Sequence, residues 1–297
     1  MISIIICTYN REKYIGKVLE ALAKQNYSDY EIIVVDNNST DATPQIAKDF
    51  KQSHPELNIT LCSETKQGLS HARNCGITQA KGDFLVFLDD DAIPCENYLE
   101  KLHEGLQEHP DHAGFGGKIE PLFEDGKTPK WLCKWTLSWA SGLDMGTRPK
   151  TFKPGKFPIG ANMGFRREVV EKVGVFNTEL GRSKKNLMGG EEKDFFFRIQ
   201  RAGYRIIYLP EPYVHHVIPQ SRTTTDYIRR FAQGVGLSER VRCKNEGSYP
   251  KRVLSELVKW AATLVLSIVY LLAFRPACSR TLILFRYGVS KSLLRGK

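Results

Sequence analysis

Four short, mostly apolar runs follow one another in the first ninety residues, and a helical pattern separates each run from the next. The runs are Ile2–Cys7, Glu31–Val35, Asn58–Cys62 and Asp83–Leu88. Apolar, β-branched runs without alternation are typical of strands that are buried on both faces, as parallel strands are. Strands that alternate with helices predict a parallel sheet covered by helices on both faces. We therefore expect an α/β fold with a Rossmann-like, mostly parallel sheet.

Polar clusters follow three of these runs and predict where a ligand binds. They are Thr8-Tyr9-Asn10, Asp36-Asn37-Asn38 and Asp89-Asp90-Asp91. In sheets of this kind, ligands bind beyond the carboxyl ends of the strands. Three adjacent carboxylates repel one another unless a cation is present, so the third cluster predicts a divalent metal, Mg²⁺ or Mn²⁺, held together with substrate phosphates. The alternative is a solvated turn or a helix N-terminus before Pro94.

The type of nucleotide site can be narrowed from the same loops. A carboxylate at Asp36 suits the ring N–H of a nucleobase. A dinucleotide site needs a GxGxxG turn after the first strand, and Cys7–Arg11 contains no glycine. The chain also lacks a P-loop, a GxSxG motif and an HExxH motif. A nicotinamide or flavin site is therefore disfavoured.

The net charge of +10 comes from the last quarter of the chain. Residues 222–297 contain 15 Lys and Arg against 4 Asp and Glu, whereas residues 1–221 contain 28 against 29. Within this quarter, Trp260–Phe274 has 15 residues without a charge and basic residues on both flanks. Fifteen helical residues extend about 22 Å, short of the roughly 30 Å hydrocarbon core of a bilayer. We expect residues 253–297 to form a re-entrant or interfacial membrane anchor, with Leu282–Leu294 as a second basic amphipathic piece.

Two other interpretations of this segment stay open. Residues 253–274 could form a single span, although Glu256 and Lys259 lie within them, or a buried core helix could precede a solvated tail. Nucleic acid is not expected as a partner, because the basic residues alternate with Leu, Ile and Val rather than with stacking aromatic residues. An anionic membrane surface fits this pattern better.

Cysteine usage and the N-terminus indicate the compartment. The seven cysteines are scattered and include no CxxC pair, which favours a reducing environment over a disulfide framework or structural zinc. Met1 leads directly into an apolar run that lacks the basic region of a secretory signal. We therefore expect the protein at the cytoplasmic face of the cell membrane.

Four stretches of the chain resemble, in order, the family 2 glycosyltransferases of the GT-A fold. They are SIIICTYNREKYIGKVLEAL, EIIVVDNNSTDAT, GLSHARNCGITQAKGDFLVFLDDDAIP and GGEEKDFFFRIQRAGYRIIYLP, and they span roughly residues 1 to 216. The resemblance implies an inverting enzyme that uses a nucleotide-diphospho-sugar and Mn²⁺ or Mg²⁺. It also implies a catalytic domain over 1–221, with a nucleotide-binding half (1–113) and an acceptor-binding half (114–221), followed by the membrane-associating segment 222–297.

The resemblance further implies which residues bind the nucleotide-sugar. The loop after the first strand would wrap the base and ribose, Asp36 would contact the base, and Arg73 would approach the base or the diphosphate. A salt bridge on its own helix face is the alternative for Arg73. The complete predicted set is Thr8, Asn10, Arg11, Asp36, Asn38, Lys66, Gly68, Arg73, Asp89, Asp90 and Asn162.

The resemblance also implies the metal ligands and the base. Asp91 and Asp89 would bind the metal, and His215 or His216 would complete the site. The pair Glu191-Glu192 matches the family's Glu-Asp motif, in which the second acid is the general base; here Glu stands in the place of that Asp. The assignment therefore lies between Glu192, which we favour, and Glu191. Acids at a helix N-terminus that interact only with the helix dipole are the alternative.

Three functions follow from these predictions. The favoured one is sugar transfer to a saccharide or lipid-linked acceptor, for a surface polysaccharide or a glycolipid. The second is a catalytically silent, membrane-associated subunit that keeps the nucleotide-sugar pocket. The third, a nucleic-acid binder with a basic tail, is disfavoured.

Three tryptophans, Trp131, Trp135 and Trp139, recur at helical spacing and predict one stripe on a helix. The stripe would lie in the core or against a membrane; the alternative is a platform for an acceptor.

Overall fold

The computed structural model describes residues 1–182, 187 and 189–296 of the chain. Its helices and strands follow in the order β1 (Ile2–Thr8), α1 (Ile15–Ala23), β2 (Tyr30–Asp36), α2 (Thr43–Ser53), β3 (Ile59–Ser63), α3 (Leu69–Gln79), β4 (Phe84–Asp89), β5 (Ala92–Pro94), α4 (Tyr98–Glu108), β6 (His112–Phe123), β7 (Lys150–Thr151), β8 (Asn162–Arg166), α5 (Glu168–Val173), α6 (Glu191–Arg201), β9 (Arg205–Ile218), α7 (Thr225–Asn245), α8 (Tyr249–Leu272) and α9 (Pro276–Arg295).

The described strands form one mixed sheet in the order β3-β2-β1-β4-β8-β6-β9-β5, with β7 paired to β9. The four predicted strands β1 to β4 are parallel to one another, and β8 runs antiparallel to β4. The residues of β1, β2 and β4 are buried on both faces, as the unbroken apolar runs predict, whereas in β3 only Ile59 is buried. Helix α1 covers the sheet with the predicted stripe Ile15, Val18, Leu19 and Leu22. The α/β prediction with a mostly parallel first half is confirmed.

The chain divides into two compact units. The first comprises Met1–Pro121, Ser141–Thr178 and Glu191–Val217, and the second comprises Leu122–Ala140, Glu179–Gly190 and Ile218–Lys297. The predicted boundary after residue 221 stays a prediction. The second unit includes residues 122–140 because Trp131 packs in one apolar cluster with α7 and α9, and Trp139 stacks on Phe285 with ring centroids 4.1 Å apart.

The predicted helical stripe of tryptophans is wrong. Around these residues the structure has turns and a short 3₁₀ segment at Leu137–Ala140 rather than a continuous helix. Trp131 and Trp139 still pack into the core of the second unit, but Trp135 is 56 % exposed. Spacing alone suggested a helix, whereas the packing of two of the three rings determines the local path of the chain.

Strand β9 is longer than the sequence predicts. The sequence pattern predicts a strand over Tyr204–Leu209 and a proline-containing loop from there to His215, yet β9 continues to Ile218. Pro210 and Pro212 lie between the stretch of β9 that pairs with β7 and the stretch that pairs with β5. The missing N–H groups of the prolines therefore interrupt neither of these pairings, and the strand continues through them.

Helix α8 is the one helix among the described residues that is long and apolar enough to cross a membrane. Buried core helices of soluble proteins meet the same criteria of length and hydropathy. Few of the residues in its apolar window are buried, however, so α8 differs from such a core helix. The C-terminal region therefore contains the predicted apolar helix, which fits a membrane-associating segment.

Candidate active site

Strand register brings three predicted site residues together. Thr8 lies opposite Asp36 in the β1–β2 ladder, and Cys7, next to Thr8, lies opposite Asp89 in the β1–β4 ladder. These pairs stand at the carboxyl ends of neighbouring parallel strands. The edge that the sequence predicts for ligand binding is therefore formed, and it lies within the first unit.

The loops after β1 and β2 are tied together by hydrogen bonds. The backbone N–H of Asn10 donates to Ser39 Oγ (3.0 Å), and the backbone N–H of Thr40 donates to Asn10 Oδ1 (2.8 Å). Asn38 donates through Nδ2 to the Thr65 carbonyl (2.6 Å) and thereby reaches the loop after β3. Asn10 and Asn38 both have positive φ, 52° and 64°, which asparagine tolerates better than most residues. These two predicted residues shape the edge of the pocket.

The residue that joins the second and third loops, Asn37, was missed at the sequence level. Its Nδ2 donates to the carbonyls of Glu64 and Lys66 at 2.8 Å each, and its Oδ1 accepts from the Gly68 N–H at 2.7 Å. Gly68 has φ of 145° and precedes α3, so a residue with a Cβ would be strained there. The Lys66 side chain is exposed. An asparagine directly after a strand was the available signal, but its three partners come from a distant loop.

We expect Asn37→Ala to lower the free energy of unfolding by about 1–3 kcal/mol, since it leaves three partly buried backbone groups without this partner. Affinity for nucleoside diphosphates should fall in parallel, because the loops lose their connection. Urea denaturation and calorimetric titration measure the two effects. Asn38→Gly is the control: it removes one exposed hydrogen bond, keeps positive φ accessible, and should cost much less. Equal effects of the two variants would contradict the role given to Asn37.

Asp89, Asp91 and His216 form a candidate metal centre. One ligand atom from each lies within 4.8 Å of the others. His216 Nε2 is 2.9 Å from Asp91 Oδ1 and 4.0 Å from Asp89 Oδ2. The pairing of Ala92 with His216 in the β5–β9 ladder places the histidine beside Asp91. Neither ring nitrogen of His216 has a hydrogen-bond partner within the described part of the chain. Two carboxylates and an imidazole fit Mn²⁺ or a similar divalent ion.

The structure does not bring His215 into this centre. Successive side chains of a strand point to opposite faces, so β9 directs His215 away from His216. The His215 side chain is 43 % exposed and lies 3.5 Å from Glu120 Oε2, whereas that of His216 is 1 % exposed. The loop predicted for this stretch would have left both histidines available; the extended strand selects one of them.

This difference between the two histidines gives a matched pair of variants. His216→Ala should weaken Mn²⁺ binding by about 10- to 100-fold, a range that even outer-shell partners of a metal reach. His215→Ala should leave it unchanged, because that ring faces away from the centre. Electron paramagnetic resonance titration with Mn²⁺ in the presence of a nucleoside diphosphate measures both. A loss of the same size in His215→Ala would contradict the assignment.

Arg11 lies against the aspartate cluster. Its Nε is 3.2 Å from Asp90 Oδ1, and its Nη2 is 3.6 Å from Asp91 Oδ2. Burial raises the pKa of Asp90 to about 7, and the Arg11 charge opposes that rise. The positive charge of Arg11 therefore offsets part of the negative charge of the cluster. Arg11 and Asp90, both predicted to face the nucleotide-sugar, lie at the same edge as the metal centre.

Arg73 forms a buried ion pair with Glu191. Its Nη1 is 2.7 Å from Glu191 Oε1, and both side chains are 3 % exposed. The guanidinium also lies 3.9 Å from Asp89 Oδ1 and over the Phe176 ring. A Cβ at Gly160 would collide with Arg73, so the small residue there makes room for the guanidinium. Arg73 therefore forms a salt bridge, as the alternative predicts. Its partner Glu191 lies on α6, however, and not on the helix that carries Arg73.

Glu192 differs from its neighbour. Both glutamates have a buried Oε2 without a hydrogen-bond partner within the described residues, but the ion pair with Arg73 is made by Glu191. Burial, together with the nearby Glu191 charge, raises the pKa of Glu192 to about 8, although Arg73 opposes the rise. A carboxylate with a raised pKa is a stronger base at neutral pH. Of the two candidates, Glu191 is paired with arginine and Glu192 has the properties of a proton acceptor.

Asn162 is not available to a ligand in this structure. It is fully buried, and its Oδ1 accepts from the Tyr98 hydroxyl at 2.7 Å. Its Nδ2 donates to the carbonyls of Pro212 (2.8 Å) and Lys118 (3.1 Å). The predicted contact with the donor sugar is therefore replaced by a structural role, in which Asn162 links β8 to its neighbours.

A mixed sheet whose parallel strands end in polar loops, next to a candidate metal centre and a pair of glutamates, is typical of transferases of the GT-A class. The profile of the family described as Glycosyl transferase family 2 matches residues 3–174. The chain belongs to this family, and it is a glycosyltransferase.

Similar proteins support this assignment. The chain is 26% identical over 238 residues to the glucosyl-dolichyl phosphate glucuronosyltransferase of Haloferax volcanii, covering 78% of this chain and 75% of that protein. It is 36% identical over 201 residues to the GalNAc(5)-diNAcBac-PP-undecaprenol beta-1,3-glucosyltransferase of Campylobacter jejuni, covering 68% and 62%. Its fold is similar to that of the mannosyltransferase PcManGT from Pyrobaculum calidifontis, solved with GDP-Man and Mn²⁺, with a TM-score of 0.67, 22% identity and coverage of 100% and 87%.

Proposed function

We propose that the chain is an inverting, metal-dependent glycosyltransferase that moves a sugar from a nucleotide-diphospho-sugar to a saccharide or lipid-linked acceptor. The observation that carries the proposal is the contrast between Glu191 and Glu192. Glu191 is held in a buried ion pair with Arg73, whereas Glu192 lies beside that pair and has a raised pKa. Both lie in the same compact unit as the metal centre.

Glu192 acts as the general base in this proposal. It takes the proton of the acceptor hydroxyl while that oxygen attacks the anomeric carbon from the side opposite the leaving diphosphate. The C–O bond to the acceptor forms as the bond to the diphosphate oxygen breaks, so a single displacement inverts the anomeric configuration. Glu191 and Arg73 act as positioning residues, because their ion pair fixes the first turn of α6 on which Glu192 stands.

The donor is held at the edge formed by β1, β2 and β4. Thr8 and Asp36 lie side by side for contact with the base and ribose, and Asn37 and Gly68 fix the loops around them. Asp89, Asp91 and His216 are the residues that would hold Mn²⁺ or Mg²⁺. When bound, the metal offsets the charge on the leaving diphosphate. Arg11 adds a positive charge next to the same aspartates.

A lipid-linked acceptor at a membrane is supported from two sides. The Haloferax relative is named for a dolichyl phosphate substrate and the Campylobacter relative for an undecaprenol-linked one. This chain also carries an apolar helix and a strongly basic C-terminal segment, which suit an anionic membrane surface. The product would then belong to a surface polysaccharide or a glycolipid.

A donor screen tests the proposal. The full chain, reconstituted in vesicles with polyprenyl-phosphate-linked sugars, is given UDP-, GDP- and dTDP-sugars with Mn²⁺ or Mg²⁺, and released nucleoside diphosphate is measured by mass spectrometry. We expect metal-dependent turnover of one donor, lost in Asp91→Ala and kept in Glu20→Gln, an exposed acid on α1. Tight nucleotide binding without turnover on any acceptor would instead favour the silent subunit.

A further inference from the structure

Helix α8 presents its apolar side chains outward and its polar ones inward. The polar residues Arg252, Glu256, Thr263 and Ser267 are buried. The outward side chains, here called the apolar face, are more than half exposed, up to 76 % at Leu272. They are Leu254, Leu257, Val258, Leu264, Val265, Ile268, Val269, Leu271 and Leu272. This arrangement is the reverse of that in a helix which packs on a water-soluble core.

Buried ion pairs fix the rotation of α8 about its axis. Arg252 lies 2.7 Å from Glu239 of α7 and 2.5 Å from Glu256. Glu256 in turn lies 3.3 Å from Arg286 of α9, and Ser290 of α9 donates to it. Turning the helix to hide the apolar face would separate these charges and leave them buried without partners, which is strongly destabilising. The apolar face therefore stays outward.

The charges around the apolar face identify what covers it. From Leu257 to the C-terminus the chain contains no Asp or Glu, whereas Lys and Arg occur at both ends of the apolar stretch and throughout α9. The exposed ones nearest the apolar face include Lys251, Arg275 and Arg280. A second copy of the chain would bring the same basic rim against this one, and the like charges would repel. An acyl layer with anionic headgroups matches both the apolar face and its rim.

Both ends of α8 are held against the rest of the second unit. At its start, Arg240 Nη1 of α7 lies 3.0 Å from the Tyr249 hydroxyl. Beyond its end, Arg275 Nη2 donates to the Leu132 carbonyl at 2.7 Å. Between them, the contacts of Trp260 with Ser290 (3.0 Å) and of Ser267 with the Ser279 carbonyl (3.3 Å) attach α9 alongside.

These contacts argue against a span. If α8 crossed the bilayer, α9 would have to accompany it, with Arg280, Arg286 and Lys291. Arg and Lys side chains are unfavourable at the centre of a spanning helix. Of the described residues of α8 and α9, those of the apolar face form an uncharged, exposed surface from Leu254 to Leu272, and this surface suits the hydrocarbon.

We propose that α8 lies in the plane of an anionic bilayer, with its apolar face in the acyl layer and its buried polar side on α9. This inference deepens the membrane part of the proposed function and rests on it for the presence of the chain at a membrane. To test this orientation, a ketone-bearing amino acid is placed at position 257, 265 or 272, and a nitroxide probe is attached to the ketone. The seven native cysteines then stay unlabelled.

Depth measurements by electron paramagnetic resonance then test the orientation on vesicles of phosphatidylcholine with phosphatidylglycerol. In the plane, the three positions lie at one depth, within a few ångströms. A spanning helix would separate positions 257 and 272 by about 22 Å along the bilayer normal, which would overturn the inference. Equal water exposure at all three, with dimers in sedimentation analysis, would also overturn it in favour of a second copy.

A pair of variants tests the occupant. Val265→Glu with Ile268→Glu should reduce binding of the full chain to the same vesicles at least tenfold, whereas Val175→Glu, an exposed apolar residue of the first unit, should not. Unchanged binding in the double variant would overturn the inference. Hydrolysis of the nucleotide-sugar in solution is read in parallel. Vesicle binding without any donor turnover contradicts the proposed function and leaves the orientation of α8 supported.

Discussion

Glu192→Gln is expected to reduce sugar transfer by about 10²- to 10⁴-fold, the range that a general base contributes. Glutamine keeps the size of the side chain but cannot accept the proton of the acceptor hydroxyl. The rate of nucleoside diphosphate release with acceptor present measures the effect, and Glu20→Gln is the matched control on an exposed helix position. If Glu191→Gln abolished transfer while Glu192→Gln kept it, the base would be the other glutamate.

The pH dependence follows from the same residue. The pKa of Glu192 is raised from 4.5 to about 8, so below pH 8 only a minority of molecules carry the ionised base. We expect kcat/KM to rise about tenfold per pH unit below this value and to level off above it. The rising limb should disappear from the residual activity of Glu192→Gln. A profile that is flat between pH 6 and 8 in the parent would contradict this assignment.

Stability should change in the opposite direction to activity. The folded chain holds the Glu192 proton more tightly than the unfolded chain does, so between pH 4.5 and about 8 the unfolded state binds fewer protons at this site. The Glu192 contribution to stability therefore falls as pH rises through that window. Glutamine has no charge to bury, so Glu192→Gln should melt at or above the temperature of the parent at pH 8. This thermal measurement separates the loss of a base from a loss of fold.

Arg73→Gln is expected to lower the free energy of unfolding by about 3–5 kcal/mol, because it leaves Glu191 as an unpaired charge in a buried position. Arg73→Gln combined with Glu191→Gln should recover a large part of the loss, since both charges are then gone. Urea denaturation of the parent, the two single variants and the double variant gives the coupling energy. The pH profile of kcat/KM for Arg73→Gln should also shift to higher pH, because the positive charge of Arg73 lowers the pKa of Glu192 in the parent.

A loss of nucleotide affinity alone would contradict the role of Arg73 in the buried ion pair. The family resemblance implies that Arg73 approaches the base or the diphosphate, and a residue with that role alone would lose nucleotide affinity without a change in stability. Arg73→Lys is informative in the same experiment. Lysine keeps the charge but cannot place two donors in a plane, so it should recover only part of the stability.

The first half of the fold and its ligand-binding edge could be predicted from the sequence because local and global signals agree there. The unbroken runs ending at Thr8, Asp36 and Asp89 become parallel neighbours, and their polar ends meet. The buried stripe of α1 follows the helical period. Each of these features depends on residues close in sequence, which a pattern can detect.

The rest depended on contacts between distant residues. The strand that carries His216 continues through two prolines, because its pairings with β7 and β5 lie on either side of them. Asn162 is bound by partners from three other segments, so its sequence neighbours did not reveal its role. The partner of Arg73 is Glu191, 118 residues away. Sequence reasoning named most of these residues but could not assign their contacts.

Because His215 and His216 are adjacent, the candidate metal centre should tolerate an insertion in β9 better than a deletion. While β9 keeps its pairing with β7 at Tyr208, an extra residue inserted before Val214 would shift the following residues by one position along the strand. His215 would then occupy the place beside Asp91, and an imidazole would be retained. Removing one residue from the same stretch would put Val217 there instead. The site therefore keeps an imidazole after a one-residue insertion and loses it after a one-residue deletion.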